Sequence, residues 1–141
     1  MRGHTIIELS VVLSLTAVTA ASLAPTARAY RDRAAVLAAR EALVGLLAEA
    51  RATAMEGGAA RVRLEAGPWT AWSSAGDSTL RLVALETDLG VAVELSGART
   101  TAEIDYGPLG LGRFANETVG FRRGNATAGL VVSSYGRVRR R

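Results

Sequence analysis

The chain has 141 residues, no cysteine and one histidine, at position 4, which excludes disulfide frameworks, thiolate metal sites and the usual nucleophile–base pairs of enzymes. Its length suits one membrane span with one small globular domain. All 17 basic residues are arginine, and residues 118–141 hold six of them and no acid, so the formal net charge of +4 arises in this tail and favours an anionic partner.

Residues 5–24 predict a membrane span. Every residue in this range is apolar or carries a small hydroxyl, except Glu8, and about 20 such residues suffice for a helix to cross the hydrocarbon core. A carboxylate at the centre of a span costs about 2.5–3.5 kcal/mol on insertion scales, and less near the interface. Glu8 is therefore either an acid tolerated near the headgroups or an acid with a partner.

A secretory signal peptide is the alternative for this segment. The sequence Ala-Pro-Thr-Ala-Arg-Ala at residues 24–29 loosely imitates a small-residue cleavage site. However, one arginine makes up the basic region, an acid lies where the apolar core would begin, and the apolar run is too long. These features favour a span that is retained.

The sequence GHTIIEL at residues 3–9 resembles the prepilin motif of type IV pilins and pseudopilins. The resemblance implies that prepilin peptidase cuts between Gly3 and His4, methylates His4 and leaves the apolar helix intact. It also implies that Glu8 faces the amino terminus of a neighbouring subunit, where the two opposite charges offset each other's cost of burial. Pro25 corresponds to a proline that such helices often carry, whereas His4 departs from the usual phenylalanine.

The charges around the span favour two opposite orientations. Arg2 and the amino terminus precede it, while Arg28, Arg31 and Arg33 follow it, so the positive-inside rule alone would keep the globular part in the cytoplasm. The resemblance instead implies a single-pass protein of the inner membrane. Its carboxy-terminal domain would be periplasmic or extracellular, incorporated in a pilus or pseudopilus, and we expect this second orientation.

Residues 26–56 predict an amphipathic helical stem. Small and apolar residues recur there at helical spacing, which places them on one stripe that we expect to pack on the chain's own sheet. Gly57 and Gly58 predict the end of the helix, and Pro25 predicts a kink between span and stem. The stripe consists of Val36, Ala39, Leu43, Leu46, Leu47, Ala50 and Ala54.

After Gly58 the pattern changes to short alternating runs, which predict antiparallel strands separated by turns such as Gly67-Pro68. A sheet of this kind buries one face on the stem, so the fold class is α+β, a long N-terminal helix packed on a small antiparallel β domain. The predicted parts are a cleaved leader at residues 1–3, a transmembrane and assembly helix at 4–25, the stem at 26–57 and the β domain at 58–141. The predicted strands are residues 61–65, 69–73, 80–85, 91–95, 101–106, 118–122, 130–134 and 137–140.

Paired carboxylates are the remaining candidates for catalysis. Glu86 with Asp88, and Glu103 with Asp105, stand two residues apart, so each pair would share one face of a strand. A solvated face explains them better, because apolar side chains at 102, 104 and 106 alternate with the second pair as an inward set. Residues 110–112 predict a turn. We expect no catalytic, cofactor-binding or metal site, and no enzymatic activity.

The sequence Gly-Arg-Val-Arg-Arg-Arg at residues 136–141 predicts a binding surface. In an extended strand Arg137, Arg139 and Arg141 point one way, while Val138 and Arg140 point the other. Arginine forks grip phosphate oxygens, and three of them about 6.6–6.8 Å apart could track a nucleic-acid backbone. Flexible, solvated terminal charge is the alternative.

Residues 104–110, 119–122, 130–133 and 136–139 resemble the carboxy-terminal half of GspH/FimT-type minor pseudopilins, and Trp69 and Trp72 resemble the tryptophan-bearing strand of that family. The resemblance implies a structural subunit of a type II secretion pseudopilus or a type IV pilus, with other pilin or pseudopilin subunits as partners. The ending also resembles the Gly-Arg-x-Arg motif of FimT-like pilins that capture DNA, although secretion pseudopilins end similarly. The alternative function is therefore DNA uptake through residues 137 and 139–141, with the tryptophans either stacking on bases or packing in the core.

Overall fold

A computed structural model describes residues 5–65, 69–113 and 116–141. The predicted processing and methylation residues, Gly3 and His4, lie outside the described residues, as does the predicted turn at Gly67-Pro68. The structure contains two α-helices, a single turn of 3-10 helix at Ser96–Ala98 and nine strands within the described ranges.

One helix, α1, runs from Ile6 to Gly57 over 52 residues. It is about 78 Å long at about 1.5 Å per residue, and it continues on both sides of Pro25. Thr5 caps its first turn, and Gly58 ends it in the left-handed conformation, at φ 91°, with its N–H donating to the carbonyl of Ala54. The predicted end of the stem is confirmed, because a residue without a Cβ adopts this conformation at little cost.

The strands after α1 follow the predicted alternation closely. A short helix, α2, occupies Leu85–Leu89 between the third and fourth strands. The strands are β1 (Ala60–Glu65), β2 (Thr70–Ala75), β3 (Ser78–Ala84), β4 (Ala92–Leu95), β5 (Thr101–Tyr106), β6 (Gly112–Arg113), β7 (Glu117–Arg123), β8 (Ala126–Val132) and β9 (Val138–Arg140).

The strands form two antiparallel sheets that pack on the stem. One sheet has the order β3-β2-β1-β5-β6 and the other β4-β7-β8-β9, and α1 contacts strands of both. The predicted α+β fold, a long helix on antiparallel sheets, is confirmed. The carboxy-terminal strand β9 lies at one edge of the second sheet, so its position depends on β8 and on whatever it contacts on α1.

The core lies between the stem and the inner faces of the sheets. All seven residues of the predicted stripe are buried, and no other residue of α1 is. Phe121, Leu64, Ile104 and Leu130 are among the large buried side chains that the sheets contribute. Ala102 and Tyr106 are buried beside Ile104, so the predicted inward set of β5 is confirmed. Every buried residue among the described ones follows residue 35, and the first half of α1 therefore contributes nothing to the core.

The structure differs from the sequence predictions in three places. No helix was predicted at residues 85–89, yet α2 forms there and carries Glu86 and Asp88, because the N–H groups of residues 85 and 86 donate to the carbonyl of Trp69 and Gly90 closes the turn in the left-handed conformation. Of the turn predicted at residues 110–112, Gly110 lies in a turn, with its N–H donating to the Gly107 carbonyl, but Gly112 pairs with Tyr106 and begins β6. Strand β8 begins at Ala126, earlier than predicted, because residues 126–129 carry only small side chains, which give a weak strand signal.

Candidate functional site

The first half of α1 is an apolar rod that no other described part of the chain covers. Ile6 is 84% exposed, Leu13 60% and Leu23 66%, and every residue from 5 to 31 is exposed. This part of the helix is long and apolar enough to cross a membrane. An apolar surface of this extent marks a membrane or protein interaction site rather than a surface suited to water.

Hydroxyl groups on the rod are satisfied within the helix itself. Ser10 donates to the carbonyl of Ile6 at 2.8 Å, Ser14 to that of Ser10 at 2.8 Å, and Ser22 to that of Val18 at 2.9 Å. Thr16 and Thr19 make the same kind of bond. A hydroxyl that bonds to the preceding turn can enter lipid or a helix bundle without losing a partner. Sequence reasoning treated these residues only as small and did not predict the bonds.

Glu8 is the ionisable side chain of residues 5–24, and it lies in the first turn of α1. Its carboxylate accepts the backbone N–H of Thr5 at 3.1 Å, and its own N–H donates to Oγ1 of Thr5 at 3.4 Å, which completes a capping box. A negative charge at this end also interacts favourably with the helix dipole. The cap fixes the carboxylate at the tip of the rod, and its predicted role in assembly remains a prediction.

The carboxy-terminal tail is a paired strand. Leu130 pairs with Arg140 and Val132 with Val138. The ladder extends to the last residue, where the Arg141 N–H donates to the Gly129 carbonyl at 2.8 Å and the Gly129 N–H donates to the Arg141 carbonyl at 3.0 Å. The backbone of the tail is therefore an ordered strand, while its arginine side chains are exposed to solvent.

Arg140 faces the stem. Its guanidinium donates to both carboxylate oxygens of Glu41, at 2.9 and 3.0 Å, and Arg40 binds the same carboxylate at 3.0 Å. The hydrogen bond from Arg140, with that from Arg40, lowers the pKa of Glu41 from its usual 4.5 to about 2. The bond also raises the pKa of Arg140. Sequence reasoning missed Glu41, because 99 residues separate it from Arg140 and no local pattern links them.

Arg137, Arg139 and Arg141 are exposed and form no ion pair with any residue of the described ranges. Arg139 is paired with Val131 and Arg141 with Gly129, on the face opposite to Arg140. Two shallow grooves, of about 440 and 220 Å³, share residues 131 and 139. The first groove is also lined by Tyr135 and Arg137, and the second by Arg140 and Arg141. Arg137, Arg139 and Arg141 therefore lie along one continuous surface, while the guanidinium of Arg140 is bound to Glu41.

The neighbouring arginines on β7 are neutralised locally. Arg122 pairs with Glu94 at 3.1 Å, across the β4–β7 ladder. Arg123 pairs with Asp32 of the stem at 3.0 Å and also donates to the Leu89 carbonyl at 2.5 Å. Within the described ranges, the arginines of residues 118–141 that have no ion pair are therefore those on the outer face of β9.

The two tryptophans belong to the other sheet, apart from the arginine surface. Trp69 packs against the core and donates its backbone N–H to Glu86 at 3.1 Å. Trp72 lies on β2 with the guanidinium of Arg63 5.7 Å from its ring centroid. The structure therefore brings neither tryptophan to β9; the aromatic side chain beside it is that of Tyr135, which is exposed and lines the same groove as Arg137 and Arg139.

The two carboxylates on β5, Glu103 and Asp105, form ion pairs with arginines on the neighbouring strand β1. Glu103 contacts Arg63 at 3.3 Å, and Asp105 contacts Arg61 at 2.5 Å and raises its pKa. The described part of the chain contains no group of three or more residues that could hold a metal ion. The arrangement is that of a solvated strand face held by opposite charges.

Two crystal structures of the type IV minor pilin FimU from Pseudomonas aeruginosa resemble this chain. One has a TM-score of 0.59 at 15% identity and covers 75% of this chain and 87% of its own. The other, in a second crystal form, has a TM-score of 0.57 at 15% identity and covers 74% and 91%. No family model matches the chain, and no curated protein matches it. At this identity the likeness establishes the fold, which is that of a type IV pilin, and does not distinguish a GspH/FimT branch.

Proposed function

We propose that the chain is a pilin-like structural subunit, a minor pilin or pseudopilin that joins its filament through the first half of α1. The observation that carries this proposal is the uncovered apolar rod, with one carboxylate fixed at its tip, attached to a small globular domain of pilin fold. FimU, which shares the fold, is a type IV minor pilin.

The rod is costly in water and needs an apolar environment. Burying one large aliphatic side chain is worth about 1.5–3 kcal/mol, and nine such side chains between Ile6 and Leu23 are more than half exposed. A bilayer covers them before assembly, and the rods of other subunits cover them in a filament. The domain of residues 58–141 stays outside the membrane in both states.

Glu8 gives this assembly its register. We propose that prepilin peptidase removes residues 1–3 on the cytoplasmic side and methylates His4, and that Glu8 then binds the amino terminus of a neighbouring subunit. Opposite charges that meet in an apolar bundle offset a cost that each would bear alone. This pairing selects one axial position of the rods, whereas apolar packing by itself would tolerate several.

The proposal is tested by exchanging Glu8 for alanine and following the protein into membranes and into sheared filaments of the native host. Ser10→Ala is the matched control, because the Ser10 hydroxyl bonds within its own helix. We expect both variants to insert in the membrane, but only Ser10→Ala to enter filaments. Normal incorporation of Glu8→Ala would overturn the proposed role of the carboxylate.

A second function, DNA capture, is favoured by one specific observation. Arg137, Arg139 and Arg141 line one exposed surface without an ion pair in the described ranges, and guanidinium groups bind phosphate oxygens in pairs. We propose that this surface contacts a nucleic-acid backbone. Arg140, paired with Glu41, would hold the strand in place rather than bind phosphate. Salt-titrated mobility shifts of residues 29–141, which include the whole described core, test this function.

A further inference from the structure

A crevice of about 760 Å³ separates α1 from the turn between β7 and β8. The helix lines it over residues 24–33, and the turn lines it over residues 124–127. On the helix it is lined by the apolar residues Ala24, Pro25 and Ala29 and by the charged residues Arg28, Asp32 and Arg33. The crevice lies where the apolar rod meets the globular domain.

The turn is held firmly against the helix on one side of this crevice. Arg123 binds Asp32 at 3.0 Å, and a Cβ built at Gly124 would meet the Asp32 carboxylate at 2.7 Å. Asp32 is thus engaged by Arg123. Arg28 and Arg33 are both exposed and have no ion pair within residues 5–65, 69–113 and 116–141, so the crevice is left positively charged.

The length of the rod determines how far the crevice lies from the hydrocarbon core of the membrane. Residues 6–24 extend about 28 Å at about 1.5 Å per residue, close to the hydrocarbon thickness of about 30 Å. Arg28 lies four residues beyond Ala24, about 6 Å further along the helix, and Arg33 about 14 Å further. The headgroup layer on each side is about 5–8 Å thick, which brings Arg28 to the level of the lipid phosphates. The backbone of Arg33 lies about 6–9 Å beyond this layer, and a long helical side chain points back towards the amino-terminal end of its helix and so towards the phosphates.

We propose that this crevice binds the headgroup of an anionic phospholipid while the subunit is anchored in the membrane. The inference rests on the membrane anchoring proposed above. Apolar helix residues next to two guanidinium groups that have no ion pair in the described ranges fit a phosphate attached to acyl chains better than a free anion, because a free anion gains nothing from the apolar residues. This binding also gives Arg28 and Arg33 a role on the side of the span where the positive-inside rule disfavours them.

Hydrogen exchange of the full chain in lipid vesicles tests the proposal. Vesicles of phosphatidylcholine alone are compared with equal mixtures of phosphatidylcholine and phosphatidylglycerol, and the readout is exchange at residues 124–127. We expect slower exchange in the mixture. Arg28→Ala and Arg33→Ala should each lose most of this protection, because each removes a guanidinium group that lines the crevice.

Arg31→Ala is the matched control, since Arg31 is exposed on the same turn of helix but does not line the crevice. We expect it to match the unaltered protein. An equal effect of Arg31→Ala and Arg28→Ala would reduce the interaction to general surface charge and overturn the site. Equal protection by inorganic phosphate over phosphatidylcholine would overturn the lipid as its ligand.

Flotation of the same samples separates the two proposals. If the protein does not float with either kind of vesicle, the proposed anchoring fails, and the lipid site fails with it. If it floats with both but residues 124–127 exchange alike in both, only the lipid site fails.

Discussion

The outer face of β9 makes a quantitative prediction about DNA binding. Three arginines without an ion pair in the described chain, Arg137, Arg139 and Arg141, are available for three phosphates. For duplex DNA each phosphate neutralised contributes about −0.9 to the slope of log K against log salt. The expected slope is therefore about −2.7, a loss of about 40-fold in affinity between 50 and 200 mM salt.

Removing one of these side chains should change the slope by a predictable amount. Arg139→Ala leaves two phosphate contacts, so the slope should become less steep, about −1.8. The affinity should then decrease only about 12-fold over the same salt range. Arg140→Ala is the matched control, one residue away, because its guanidinium is bound to Glu41 on the opposite face. Its slope should stay near −2.7.

The assay is a mobility shift of residues 29–141 with a short duplex at several salt concentrations. Arg122→Ala, which removes an arginine already paired with Glu94, provides a second control. Equal losses of slope in Arg139→Ala, Arg140→Ala and Arg122→Ala would show that total charge, and not the outer face of β9, governs binding. Absence of binding by the unaltered protein at 50 mM salt would refute DNA capture altogether.

Two further predictions concern contacts of the stem, one in the core and one in the ion pair that Glu41 forms with Arg140. Leu46 is fully buried and Leu37 is 39% exposed on the same helix, so Leu46→Ala should lower the free energy of unfolding by about 2–5 kcal/mol and Leu37→Ala by less than about 1 kcal/mol. Urea unfolding of residues 29–141 measures both, and similar losses would contradict the packing. Because the pKa of Glu41 is lowered from 4.5 to about 2 by Arg140 and Arg40, its stabilising contribution is present above pH about 4.5 and is lost as the pH falls towards about 2. The melting temperature of Glu41→Gln should therefore lie below that of the unaltered protein at pH 6 and converge with it at pH 2, and a constant difference would contradict the ion pair.

The stem and most strands were predictable because each follows a local rule. The helical stripe of apolar residues identified all seven buried positions of α1, and Gly58 ended the helix where a left-handed residue was expected. On β5 the alternation of apolar and acidic residues correctly separated the inner face from the outer one. In these elements the spacing of apolar residues along the sequence indicates both the type of secondary structure and the face that is buried.

The remaining features depend on contacts between distant residues. Helix α2 forms because the carbonyl of Trp69 accepts the N–H groups at its start, and the pairing of small residues on β8 with β7 places Gly129 against Gly120. The pairing of Arg140 with Glu41 separates one arginine of the tail from the other three. The sequence indicated the alternation of the tail, but no local pattern could indicate which face meets the stem.

The central claim is that the apolar rod is retained after trimming and serves assembly, and the amino-terminal sequence of the mature protein tests it most directly. The measurement is made on protein extracted from membranes and filaments of the native host, together with its intact mass. We expect a chain that begins at His4 and carries one methyl group on its amino terminus. A chain that begins near Tyr30, without the exposed half of α1, or that still begins at Met1 in a cell with the peptidase, would contradict it.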